Sequence, residues 1–248
     1  MLTGKDKSSQ RKTLVIVGPT GSGKTGVAID IALKLGGEVI SADSRAIYRG
    51  MDIGTAKPTV GEMRGVKHFG LDLVDPGERF TVVDFKEYCN KALADIRARG
   101  KLPIIAGGTG LYVDAVIFDY QFDDIVQKSC SDRTEMSSDF VVIGVKWERD
   151  ELRERLAARA DKIFAQKIVQ ETERLVRKYG WGSQAMKSNI YPIVWRMING
   201  EISEEEAKRL CALADWHLAK RQLTWLKRNK KIVWLRLDEI ENYVYNFY

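Results

Sequence analysis

Apolar and polar positions along this chain follow two periods in turn, and the switches between them outline an alternation of strands and helices. Thr13–Val17 is an unbroken apolar run, the pattern of a strand buried on both faces, and Val27 to Leu35 repeats apolar residues at helical spacing. Gly36-Gly37 predicts the end of that helix, and Glu38 to Ala42 a second buried strand that stops at Asp43-Ser44. His68 to Pro76 reads as another short strand with a turn after Asp75. A helix from Thr81 to Arg99 follows, with Thr81 as its cap and Val82, Phe85, Leu93 and Ile96 facing inward, and Gly100 ends it. Lys101 to Ala106 returns as a strand into Gly107-Gly108-Thr109-Gly110, with a helix beginning near Leu111.

The pattern dissolves from Asp119 to Ser138, which reads as a connector, and Asp139 to Lys146 restores a buried strand. Glu148 to Tyr179 has the spacing of a long helix, broken near Ala165, with Leu152, Leu156, Ile163, Ile168 and Leu175 inward. Gln184 to Asn199 predicts a further helix kinked by Pro192. Ser203 caps one running to about Arg228, and Lys231 to Leu235 closes the sheet. The sum is an α/β fold: a parallel sheet flanked by helices, with a helical C-terminal part. The expected organisation is a disordered lead-in over 1–12, one domain over 13–238 and a tail over 239–248.

Composition narrows this picture only modestly. At 248 residues, with 44% hydrophobic and 30% charged residues, the chain is long enough for a full core. No apolar run approaches the roughly 20 residues of a membrane helix, so no membrane association is expected. Cys89, Cys130 and Cys211 lack metal-site or disulfide spacing, and with two histidines they predict plain thiols in a cytoplasmic protein. The net charge of +6 concentrates in Arg149–Arg159, Arg174–Lys178 and Lys220–Lys231, a basic face suited to a polyanion. Glutamates at helical spacing offset the first of these clusters, but none accompanies Lys227 to Lys231.

The first strand runs directly into Gly18-Pro19-Thr20-Gly21-Ser22-Gly23-Lys24-Thr25 and then a helix, which is the context a P-loop requires. Glycines let the backbone turn its N–H groups inward, Lys24 adds a cation, Thr25 a hydroxyl for Mg²⁺, and the helix its positive end. The core is therefore P-loop NTPase-like. Ligands in an open parallel sheet sit beyond the carboxyl ends of the strands, so Asp43 is expected to face the same crevice. A carboxylate there is either a helix cap or magnesium-shell group, or a general base. The long segment Arg45 to Pro58 is a candidate ligand loop, which raises Tyr48, Arg49, Thr55 and Lys57. Thr109 offers a hydroxyl to substrate, or belongs to a tight turn. Trp216 and Trp225 read as core, and Arg221 is either a guanidinium for a leaving group or part of a basic surface.

Gly18 to Thr25, Ile40 to Pro58, Gly107 to Tyr112 and Ala219 to Trp225 together resemble the tRNA dimethylallyltransferase family, also called tRNA isopentenyltransferases. The segments His68 to Pro76, Asp84-Phe85 and Arg155 to Asp161 look like weaker parts of that pattern. The resemblance implies transfer of a dimethylallyl group from dimethylallyl diphosphate to N6 of the adenosine 3′ of the tRNA anticodon, with Mg²⁺. It assigns the diphosphate to Gly18, Pro19, Thr20, Gly21, Ser22, Gly23, Lys24 and Thr25, with the metal near Thr25. Asp43, Thr20, Thr109 and Arg221 would be catalytic. Contact with the tRNA anticodon loop would fall to Asp43, Ser44, Arg45, Ala46, Tyr48, Lys57, Thr109, Lys220 and Gln222, in a protein expected to be a monomer. Members of the family carry a helical insert where this chain has only Asp119 to Ser138. Short relatives that prenylate free AMP, ADP or ATP also lack it, so that activity, or a nucleotide- or RNA-binding module without catalysis, is the alternative expectation.

Overall fold

The computed structural model describes residues 11–122, 135–187 and 190–248. Its sheet runs through β1 (Thr13–Val17), β2 (Gly37–Ser41), β3 (His68–Phe69), β4 (Leu102–Gly107), β5 (Phe140–Lys146) and β6 (Val233–Arg236). The spatial order is β3-β2-β4-β1-β5-β6, and every pairing is parallel. The helices are α1 (Lys24–Leu35), α2 (Val60–Met63), α3 (Val82–Ala98), α4 (Gly110–Ile117), α5 (Arg149–Phe164), α6 (Ile168–Tyr179), α7 (Tyr191–Ile198), α8 (Glu204–Leu226) and α9 (Leu237–Tyr245).

The apolar run of β1 is explained by burial on both faces of the sheet. Val15 and Val17 pack with Phe85, Ile96, Tyr112 and Val116 of α3 and α4, while Leu14 and Ile16 pack with α1 and α9. A third cluster joins α5 to α8 around Met51, Ile47 and Tyr191, so the helical part packs on the segment after β2. Thr81 caps α3 by accepting from the Asp84 N–H, and Ser203 caps α8 by accepting from Glu206 N–H at 3.1 Å.

Four local expectations change. Pro192 opens α7 instead of kinking a longer helix, because a missing N–H costs nothing in a first turn. Past β3, the segment to Pro76 is mostly loop: Asp72 has φ 53°, and Leu73 N–H donates to Ile47 O at 2.7 Å. The last strand starts two residues later than its apolar pattern suggests and ends one residue later. The supposed tail is α9, whose Ile240 and Val244 are fully buried in the α1 face of the core, and Tyr248 returns to donate to Lys12 O at 3.0 Å. Of the supposed lead-in and connector, residues 1–10 and 123–134 lie outside the described residues, as does Cys130. Cys89 and Cys211 are buried free thiols, both pushed up to about 12 by burial.

Candidate active site

Strand register brings the candidate segments together. Val17 is level with Gly107, and Ser41 with Ala106, so the chain leaves β1, β2 and β4 at one edge of the sheet. Thr109 N–H then donates to Ala42 O at 3.2 Å, tying two of the exits to each other. Beyond them opens a cavity of about 510 Å³. Its lining includes Thr20 to Thr25, Asp43, Ala46, Lys57, and Arg155, Arg159 and Lys162 of α5. This is the carboxyl-end crevice expected of an open parallel sheet.

The cradle is built as its glycines require. Gly21 and Gly23 have φ of 75° and 84°, a left-handed conformation that side chains disfavour, and α1 begins immediately after. Ser22 is fully buried with no hydrogen-bond partner for its hydroxyl. Lys24 Nζ donates to Pro19 O at 3.2 Å. Burial lowers the Lys24 pKa to about 8, with Asp43 and Asp215 opposing that shift and Arg159 adding to it. The amine and the Asp43 carboxylate are therefore close enough to feel one another across the cavity.

On the opposite side, Asp43 Oδ1 accepts from Arg45 N–H at 2.8 Å. Thr109 Oγ1 accepts from Ser44 N–H at 3.0 Å and lies 3.2 Å from Ser44 Oγ, so the hydroxyl braces the backbone next to Asp43. Ala46 is buried in the wall, and Arg45 is exposed, 3.5 Å from Gln184 O. Tyr48 is 8% exposed and packs inside the helical cluster, so its ring is not on an RNA-facing surface. Lys57 lines the cavity, but its ammonium is bound to Asp52 and Asp72 at 2.7 and 2.6 Å and to Tyr48 O, which makes it an internal pin of its loop.

The α8 residues are distributed differently from expectation. Arg221 is exposed and outside the cavity lining, as is Lys220, whose Nζ is 5.8 Å from the Trp216 ring. Gln222 faces the cradle: its Oε1 accepts from Thr20 N–H at 2.8 Å. The guanidiniums at the cavity come from α5. Arg155 Nε donates to Gly21 O at 2.9 Å over the Trp147 ring, whose Nε1 holds Ser22 O at 2.9 Å. Arg159 pairs with Asp215 at 3.0 Å, and burial raises the Asp215 pKa against the pull of that arginine. The four-residue spacing of Arg155 and Arg159, one helical turn, was the readable signal for this pair.

Fold and crevice together define a P-loop α/β protein whose glycine-rich loop and Asp43 line one cavity. The family model for IPP transferase matches residues 46–138 and 121–229. The chain is 33% identical to the tRNA dimethylallyltransferase of Acetivibrio thermocellus, covering 92% of this chain and 93% of the relative. It is 32% identical to that of Bacillus cytotoxicus, covering 95% and 93%. The solved tRNA isopentenylpyrophosphate transferase of Bacillus halodurans superposes with a TM-score of 0.85 at 31% identity, covering 96% of this chain and 95% of that one. The chain belongs to the IPP transferase family. Both family-model matches claim residues 121–138, and the alignment to the Acetivibrio protein spans 290 positions against 248 residues here. That relative therefore has residues without a counterpart in this chain.

Proposed function

We propose that this protein transfers a dimethylallyl group from dimethylallyl diphosphate to N6 of the adenosine 3′ of the anticodon in tRNA. One observation carries the chemistry: Lys24 of the cradle and Asp43 line the same cavity. In this reading the N–H groups of Gly21 and of Gly23 to Thr25, with Lys24, Arg155 and Arg159, take the diphosphate. The bond between the prenyl carbon and the diphosphate oxygen breaks as the adenine nitrogen bonds to that carbon. Charge gathers on the leaving diphosphate, where these cations stabilise it. The amine proton passes to Asp43, whose Oδ1 is already oriented by Arg45 N–H. Thr109 keeps the Ser44 backbone, and so the carboxylate, in place.

Thr25 lines the cavity and would offer its hydroxyl oxygen to Mg²⁺. The ion would take its other ligands from diphosphate and water. When bound, it neutralises charge on the leaving diphosphate.

The RNA side rests on the exposed cations of α8, including Lys220 and Arg221, in a monomer working where tRNA is found, in the cytoplasm. No helix among the described residues is long and apolar enough to cross a membrane. Labelled dimethylallyl diphosphate, offered with unmodified tRNA or with AMP, ADP and ATP, tests the proposal. Label is expected in RNA, and label confined to free nucleotides overturns it. Asp43→Ala should slow transfer by roughly 10² to 10⁴, and an unchanged rate removes Asp43 as the base.

A further inference from the structure

One buried carboxylate lies outside the chemistry described so far. Glu171, on α6 in the helical part, is 5% exposed. Its two oxygens gather four donors. Asp52 N–H reaches Oε2 at 3.1 Å, Ile53 N–H reaches Oε2 at 2.9 Å, and Gly54 N–H reaches Oε1 at 2.9 Å. The Tyr191 hydroxyl, from the first turn of α7, donates to Oε1 at 2.9 Å. Three successive backbone N–H groups aimed at one anion form a nest, here filled by the protein's own side chain. Burial, and then the charge of Glu171, push the Tyr191 phenol up, so the hydroxyl stays a donor.

The residues so gathered lead into the cavity wall: Ile53, Thr55, Ala56 and Lys57 line it. The cradle is supported separately, by Trp147, Arg155 and Gln222. Lys57 pins the far end of this loop, but without an anion in the nest its start would carry three inward N–H groups with no partner. We propose that Glu171 is a positioning residue: through the nest at Asp52 to Gly54, it holds the wall that receives the acceptor nucleoside, linking α6 and α7 to the active site. The acceptor is the substrate of the proposed reaction, so this inference rests on that reading. A carboxylate is needed because every group facing it is a donor. Glutamine, with one acceptor and one NH₂, leaves N–H groups facing N–H groups.

The test compares Glu171→Gln and Tyr191→Phe with the parent enzyme by steady-state kinetics and amide hydrogen exchange. For Glu171→Gln the KM for unmodified tRNA should rise about tenfold or more, while the affinity for dimethylallyl diphosphate, measured by calorimetry without RNA, should change less than about threefold. Exchange at Asp52 to Gly54 should quicken more than tenfold, with α1 and the cradle unaffected. Tyr191→Phe, which removes one donor and spares the nest, should shift the same quantities less. If Glu171 serves only stability, the variant lowers the active fraction, but the molecules that remain folded keep the parent's KM and the parent's exchange at the loop. That result overturns the inference. A parent enzyme that does not prenylate tRNA at all would instead reject the reading beneath it, and the exchange experiment would still judge the nest.

Discussion

Donor binding should depend on pH through Lys24, and the structure supplies the size of the effect. The cavity lowers the pKa of this amine from 10.5 to about 8. Of the two forms of Lys24 only the ammonium adds its charge to that of Arg155 and Arg159, so where binding requires that charge the free enzyme is competent in proportion to its protonated fraction, and the apparent dissociation constant rises as that fraction falls. With a pKa of about 8, roughly nine-tenths of the free enzyme is charged at pH 7 and roughly one-tenth at pH 9. Affinity for dimethylallyl diphosphate should therefore weaken about tenfold between those values. The last ionisation of a phosphate monoester lies near 6, below this window, so the donor is not the cause of the slope. Calorimetry at pH 8 in buffers of differing ionisation enthalpy should register uptake of about half a proton per donor bound, because the bound diphosphate restores the charge. Lys24→Arg keeps its charge throughout. Whatever its absolute affinity, its profile should be flat from pH 7 to 9. A flat profile in the parent protein, or the same slope in the arginine variant, would refute the reasoning.

Other substitutions separate roles that the structure has redistributed. Arg155→Ala should raise the KM for the prenyl donor about tenfold or more, whereas Arg221→Ala should leave donor binding within about threefold and weaken RNA binding at low salt; steady-state kinetics at two ionic strengths distinguish the two. Gly110→Ala would put a methyl group 2.1 Å from Trp225 Cδ1, displacing the ring whose Nε1 donates to Asp114 at 2.8 Å. The expected cost is about 2 kcal/mol or more in unfolding free energy, read from urea denaturation. Affinity for tRNA should fall steeply with salt, since neutralising phosphates releases counterions, and binding indifferent to salt would favour a free-nucleotide acceptor.

The amino-acid sequence alone determined whatever local periodicity and backbone chemistry impose. Thr13–Val17 could only be a strand covered on both sides, Gly21 and Gly23 announced a left-handed turn ahead of α1, and Asp43 followed a strand that had to end at the ligand edge. Tertiary structure decided what depends on packing between elements distant in the chain. The i,i+4 repeat of Arg155 and Arg159 was visible, but only the seating of α5 over Gly21 brings both arginines to the cavity. The rotation of α8 about its axis turned Gln222 inward and left Arg221 exposed, and no neighbouring residue in the sequence specifies that rotation. Glu171 gave no local sign of its task, because its backbone partners lie 117 to 119 residues away and meet it only when α6 docks on the loop. A tail with two buried apolar residues became α9 for the same reason: it covers a face of the sheet that α1 leaves open.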